Sequence, residues 1–192
     1  MTKSRIEAFS DGVLAIIITI MVLELKVPHD PSLAGLTKLW PVFLSYVLSF
    51  VYVGIYWNNH HHLFQIVRHL NGKILWANMH LLFWLSLVPF VTGWMGENHF
   101  ADLPVAMYGV VMFMAGLAYY ILARALVSAH GPDSEIARAL GRDFKGRLSL
   151  VIYAIAIAAA FFSAPVAAVL YWAVAVMWFL PDPRIEKQIK GT

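Results

Sequence analysis

Four apolar runs, each long enough to form a membrane-spanning helix, most strongly limit what this chain can fold into. They cover residues 6–25, 39–64, 74–95 and 103–127. About 20 residues suffice for a helix to cross a hydrocarbon core of about 30 Å. Only 13% of the 192 residues are charged, against roughly a quarter in soluble domains. The sequence therefore predicts an all-α integral membrane protein.

A fifth apolar block, residues 148–180, is too long for one span. As one straight helix it would measure about 50 Å. Its middle offers a break, because Ser163 can cap a new helix and Pro165 suits the first helical turn. We expect two short spans at 148–162 and 164–180. The chain then forms one six-span transmembrane domain over residues 1–192.

The distribution of basic residues supports six spans. An even number places both termini on one side, together with the second-to-third and fourth-to-fifth connections. Twelve of the 14 lysines and arginines fall on that side: Lys3, Arg5, Arg68, Lys73, Arg124, Arg138, Arg142, Lys145, Arg147, Arg184, Lys187 and Lys190. Only Lys26 and Lys38 fall on the other. This positive-inside bias predicts cytoplasmic termini.

Several function classes lack support in the sequence. The chain has no cysteine, which excludes disulfides and thiolate metal sites. Basic residues form no single stripe of the kind that binds nucleic acid. No phosphate-binding glycine loop, nucleophile elbow or pair of catalytic carboxylates is present. The sequence predicts neither an enzyme nor a cofactor site.

Three consecutive histidines, His60, His61 and His62, suggest a metal site at first sight. On a helix, consecutive side chains point about 100° apart, so the three cannot hold one ion. No histidine pair here has the i, i+4 spacing typical of two ligands on one helix. Hydrogen-bonding roles are the better interpretation, and we expect no metal.

The first apolar run, "RIEAFSDGVLAIIITIMVLEL", is unusually polar at its start. Helical periodicity places Gly12, Ile16, Ile20 and Leu23 on one face, with Thr19 beside them. An aspartate in a span normally faces a bundle interior or a water-filled cavity. The alternative is that Asp11 charges the helix end at headgroup level and pairs with Arg5.

These residues resemble the transmembrane protein 175 family, which comprises lysosomal and endosomal potassium channels with small bacterial relatives. The family motif is an arginine, three residues, then Phe-Ser-Asp, matched here by Arg5, Phe9, Ser10 and Asp11. The second run, "FLSYVLSFVYVGIYWNNHHHLF", also resembles the family, whose second span is rich in aromatic residues and ends in Trp, Asn and His. The family typically has a basic residue at the place of His62, which differs here.

The resemblance implies a homotetramer whose four first helices line a pore. By position, Ile16 would form the apolar constriction, and Ile20 and Leu23 would continue the lining. Thr19 matches a threonine linked to potassium preference. Arg5, Ser10 and Asp11 would form a polar network behind the pore, joined by Trp57 and by His60 or His61. This channel fold has no re-entrant carbonyl filter, and no Thr-Val-Gly-Tyr-Gly segment occurs in the chain.

The preferred function is a potassium-permeable channel for monovalent cations, gated by dewetting at the isoleucine ring and modestly selective for K⁺ over Na⁺. Glu24 is a candidate for attracting cations to the outer mouth, or a solvated acid at a helix end. The alternatives are a proton-coupled secondary transporter using Asp11 and the second-span histidines, and a membrane scaffold without conduction. We expect a multi-pass protein of a bacterial plasma membrane, in contact with its lipids.

Overall fold

The computed structural model describes residues 2–141 and 143–179. Within these residues the chain is all-α. Its helices are α1 (Lys3–Leu23), α2 (Leu33–Thr37), α3 (Trp40–Gln65), α4 (Gly72–Ser86), α5 (Val88–Glu97), α6 (Asp102–His130), α7 (Glu135–Leu140), α8 (Phe144–Ala160) and α9 (Ala164–Phe179).

Four helical segments are long and apolar enough to cross a membrane: Lys3–Leu23, Trp40–Gln65, Gly72–Glu97 and Asp102–His130. They overlap the first four predicted spans. Helices α8 and α9 contain 17 and 16 residues, which is about 25 Å of helix each.

The third long segment is interrupted at Leu87, which separates α4 from α5. Pro89 accounts for the interruption, because it has no N–H to donate and its ring collides with the carbonyl of residue i−4. The Leu87 N–H instead bonds to the Trp84 carbonyl in a tighter turn, at 3.2 Å. The sequence prediction treated this segment as one uninterrupted helix and missed the break.

The last apolar block also contains a break, between Ala160 and Ala164. The Ser163 carbonyl accepts from the N–H groups of Val166 and Ala167 at 3.1 and 3.2 Å, and Pro165 lies in the first turn of α9. The polar connector before α8 contains the short helix α7. Of the basic residues assigned to the connector and the C-terminal segment, Arg142, Arg184, Lys187 and Lys190 lie outside the described residues.

Helix α6 lies at the centre of the bundle and packs against α4, α5, α8 and α9. Buried tyrosines fill this core. The Tyr52 hydroxyl donates to the Tyr171 carbonyl at 2.6 Å, and the Tyr171 hydroxyl donates to the Val105 carbonyl at 3.0 Å. A Cβ at Gly109 would lie 2.0 Å from the Tyr171 hydroxyl oxygen, so only glycine permits this contact. By contrast, α1 lies at the edge, against α3, α4 and α5.

Candidate functional site

Helix α1 has one buried side and one uncovered side. The buried residues recur every three or four positions, as expected for one stripe of a helix: Ile6, Ser10, Leu14, Ile17 and Met21. This stripe contacts α3, α4 and α5. It therefore fixes the orientation of α1 and leaves the opposite side uncovered by the rest of the described residues.

The predicted pore residues all lie on the uncovered side. Ile16 is 58% exposed, Ile20 41% and Leu23 79%, and Thr19 is also exposed. Apart from the adjoining residues and the backbone of α1 itself, no atom of the described residues lies within 4 Å of the position that a Cβ at Gly12 would occupy. The spacing predicted from sequence thus corresponds to a continuous free face, available to lipid or to another copy of the chain.

Thr19 adds the first polar group to this face above Ile16. Its hydroxyl donates to the Ile16 carbonyl at 2.9 Å. Because the single proton of the hydroxyl is used within the helix, the oxygen retains lone pairs that can accept from water or contact a cation. The residue therefore presents an acceptor on an otherwise apolar stripe.

A buried polar cluster holds the motif serine from behind. The Asn78 amide donates to the Ser10 hydroxyl at 3.0 Å, and its carbonyl oxygen lies 2.8 Å from His60 Nε2. Since that amide oxygen only accepts, the shared proton belongs to His60 Nε2. The three side chains are at most 2% exposed. They tie α1, α3 and α4 together.

The motif aspartate takes part in a separate contact. Asp11 is exposed, and its carboxylate accepts from the Trp57 indole N–H at 3.1 Å. Trp57 stacks on His61 with 6.1 Å between ring centroids, and His61 lies 2.9 Å from the Gln65 amide nitrogen. Ser10 and Asp11 follow each other on a helix, so their side chains point about 100° apart. The structure therefore has two separate polar clusters where the sequence predicts a single network.

Two motif residues are not part of either cluster. Within the described residues, Arg5 makes no ion pair with Asp11 and no side-chain hydrogen bond. Arg5 and Asp11 are exposed. Phe9, the other motif residue outside the two clusters, is 50% exposed. The expected membership of Arg5 in the network is not seen among the described residues, because Arg5 lies on the exposed side of α1.

Glu24 lies at the opposite end of α1, where it is the exposed residue that ends the helix. Its side chain lies close to Gly93 on α5. Nearby, Lys26 forms an ion pair with Glu97 at the end of α5. The hydrogen bond to Glu97, followed by its charge, raises the pKa of the Lys26 ammonium above its ordinary value. Glu97 is thus paired, whereas Glu24 has no ion-pair partner among the described residues.

The sequence interpretation did not single out Asn78 or Gln65. Asn78 was visible as an amide inside an apolar run, "ILWANMHLLFW", and a polar side chain there usually needs a partner on a neighbouring helix. Gln65 ends α3 and had no such signal. Among the described residues, no group of three or more His, Asp or Glu side chains is arranged to hold a metal ion.

Comparison with known proteins relates these features to a family. The family profile described as "Endosomal/lysosomal potassium channel TMEM175" matches residues 5–89, which include all but the first two residues of α1 and the whole of α2, α3 and α4. A protein of Chryseobacterium sp., named as a potassium channel, is 55% identical over 190 residues, which are 99% of each chain. Another so named, from Streptomyces collinus, is 33% identical over 85% of this chain and 84% of its own.

The fold also resembles a solved structure. It is the crystal structure of a protein from Chamaesiphon minutus described as a homolog of the lysosomal potassium-selective channel TMEM175. The TM-score is 0.81 at 29% identity, over 93% of this chain and 96% of that one. The likeness therefore extends over nearly the whole chain.

Proposed function

The chain belongs to the TMEM175 family, and from this premise we propose that it is a potassium channel whose pore is lined by α1. It is an all-α multi-pass membrane protein, and a channel rather than an enzyme. The family assignment agrees with the resemblance of the first two predicted spans. Which side chains line the pore, and how many chains surround it, is our proposal.

The free face of α1 is the observation that carries the pore assignment. It contains Ile16, Thr19, Ile20 and Leu23, and no part of the described chain covers it. Open space at Gly12 would let a neighbouring helix approach closely, as small residues do in membrane helix contacts. We propose that four chains place this face of α1 around one axis.

The apolar side chains on that face account for gating. A ring of Ile16 side chains excludes water when it is narrow and admits a hydrated cation when it widens slightly. Ile20 and Leu23 continue this lining toward the end of α1. Because the constriction offers no carbonyl cage, an ion must lose part of its hydration shell to pass. K⁺ is more weakly hydrated than Na⁺, so modest selectivity for K⁺ follows.

Thr19 supplies the polar contribution to selectivity in this proposal. The lone pairs of its oxygen face the lumen, while its hydroxyl group donates its proton to the Ile16 carbonyl at 2.9 Å. Four such oxygens, one turn from the constriction, would partly replace the water that the ion sheds. Glu24, one turn beyond Ile20, would concentrate cations at the outer mouth.

The polar clusters position α1 rather than conduct ions. The Ser10–Asn78–His60 cluster fixes the buried side, and the Asp11–Trp57 contact fixes the edge between the buried and free sides. Arg5 and Phe9, exposed in one subunit, would then contact the neighbouring subunit. The function of the motif is thereby to set the rotation of α1 about its own axis.

The same proposal gives the topology. With α8 and α9 as the fifth and sixth spans, both termini and most basic residues lie in the cytoplasm of a bacterial cell. The ends of α1 and α5 with Glu24, Lys26 and Glu97 then face outward. Helices of 16 and 17 residues are shorter than the usual span, and local thinning of the bilayer accommodates such short helices.

The test is ionic current from the purified protein in a planar lipid bilayer. We expect discrete single-channel currents under a K⁺ gradient, with a reversal potential that favours K⁺ over Na⁺ by a modest ratio. A proton-coupled carrier using Asp11 and the second-span histidines would instead give saturating K⁺ uptake that requires a proton gradient. That outcome, or the absence of conduction, would reject the proposal.

A further inference from the structure

The last residue of α6, His130, connects α6 to the linker between α3 and α4. Its Nε2 accepts from the backbone N–H groups of Arg68 and His69, both at 3.1 Å. Its Nδ1 lies 2.9 Å from the Leu126 carbonyl oxygen. One imidazole ring therefore holds two consecutive amides of a linker that lies 61 and 62 residues earlier in the chain.

These contacts require a neutral ring. A carbonyl oxygen only accepts, so the proton of the imidazole resides on Nδ1 and Nε2 offers its lone pair. In the imidazolium form both nitrogens donate, and Nε2–H would point at two N–H groups. Protonation therefore removes two hydrogen bonds at once and replaces them with repulsion between donors.

Charged groups lie beside the linker contact on the linker itself and on α7. Arg68 pairs with Glu135 at 3.4 Å, and both side chains are more than half exposed. The His69 ring stacks on the His130 ring with 6.0 Å between centroids. At the carbonyl end of α6 a positive ring would interact favourably with the helix, and that interaction does not depend on the linker contacts. A charged ring at this place is therefore compatible with the helix end but not with the two linker N–H groups.

The linker joins the two helices that hold α1. Trp57 on α3 donates to Asp11, and Asn78 on α4 donates to Ser10. From this geometry we propose that His130 is a pH-sensitive clamp. Acid on the side of the membrane that carries most lysines and arginines protonates His130, releases the linker, and alters potassium conduction through α3 and α4. The change in conduction rests on the proposed function, whereas the release of the linker does not.

Hydrogen exchange of the full-length protein in lipid nanodiscs tests the release directly. In the wild type, exchange of peptides spanning 66–72, corrected for intrinsic rates, should become about tenfold faster between about pH 7.5 and about pH 5.5. In His130→Gln the amide oxygen still accepts from the linker but does not titrate, so the acid effect should disappear. The matched control is His69→Gln, which removes only a stacking contact and should behave as the wild type.

Each outcome decides the matter. Wild-type exchange that does not respond to acid overturns the clamp, and this needs no variant to fold. An acid response that persists in His130→Gln, or is lost in His69→Gln, assigns the sensor elsewhere and also overturns it. K⁺ flux should respond to the pH on the side of the membrane that carries most lysines and arginines in the wild type, and should not respond to it in His130→Gln. Equal flux responses in both proteins would overturn the regulatory part alone.

Discussion

Helix α1 and the pair α8 and α9 each leave one side uncovered within the described residues, but the two surfaces differ in composition. From residue 151 to residue 179, every exposed side chain is aliphatic, aromatic, alanine or proline. The exposed positions of α1 include Arg5, Asp11 and Thr19, with Gly12 among them. Exposure alone does not separate lipid contacts from pore contacts. The polar and small residues favour a pore for α1 and lipid for α8 and α9.

The largest expected effect concerns how the two regions are anchored. Asn78→Leu keeps the number and branching of the side-chain heavy atoms but leaves Ser10 and His60 without their partner, and each buried unpaired group costs about 1–3 kcal/mol. The thermal unfolding midpoint in detergent should fall, and K⁺ flux in liposomes should fall with it because α1 loses its fixed rotation.

The matched variant acts on the α8–α9 pair. Ser149→Ala removes the acceptor of the Trp178 indole N–H, now at 2.8 Å, and should also lower the unfolding midpoint. It should leave K⁺ flux per folded protein unchanged, because α1 keeps its fixed rotation. If Ser149→Ala lowers that flux as much as Asn78→Leu does, the two regions do not differ in the way we describe.

The next effect compares two isoleucines of nearly equal exposure, Ile16 at 58% and Ile155 at 55%. Ile16→Asn should weaken the dewetting barrier, raise conductance by about tenfold and reduce K⁺ selectivity. Ile155→Asn places the same amide on the lipid-facing surface and should leave both unchanged in protein that reaches the membrane. Single-channel recording measures both quantities. Equal effects of the two variants would contradict the proposal that α1 lines the pore.

A smaller effect is expected at Thr19. Thr19→Val removes the acceptor oxygen while retaining shape, so K⁺ over Na⁺ selectivity should fall by about threefold, with conduction retained. Thr37 on α2 makes the same i−3 hydrogen bond, to the Ala34 carbonyl at 3.0 Å. Thr37→Val is therefore the control, and reversal potentials in mixed K⁺ and Na⁺ provide the measurement. An unchanged ratio in Thr19→Val would limit selectivity to the isoleucines.

The smallest effect is expected at the outer end of α1. Glu24→Gln should reduce K⁺ conductance by about a third at low ionic strength and have no effect at about 1 M salt, where exposed charges are screened. Glu97→Gln removes an acid that already pairs with Lys26, and should change conductance less. The reverse order would place Glu97, and not Glu24, at the mouth.

Much of the fold follows from the sequence because apolar length is a strong signal. The long runs became helices at the expected places, and the chain breaks between α8 and α9 near Ser163 and Pro165. The break at Leu87 was missed although Pro89 is plain in the sequence. A proline within a membrane helix is often accommodated without ending it, so the residue alone does not decide.

The candidate site was less predictable than the fold. Periodicity identified the stripe of Ile16, Ile20 and Leu23, but a stripe does not state whether lipid or a pore lies beside it. The divided polar network depends on which helix faces Ser10 and which faces Asp11. The tertiary packing of α1 on α3 and α4 determines which helix faces each side chain. The amide of Asn78 became meaningful only when its distance to Ser10 was known.

The most direct measurement is an electron-microscopy structure of the assembled protein in lipid nanodiscs, read at residue 16. We expect four chains around a central axis, with the Ile16 side chains pointing at the axis and Ile155 pointing into lipid. An assembly in which Ile16 faces lipid, or in which no axis is lined by α1, would contradict the account.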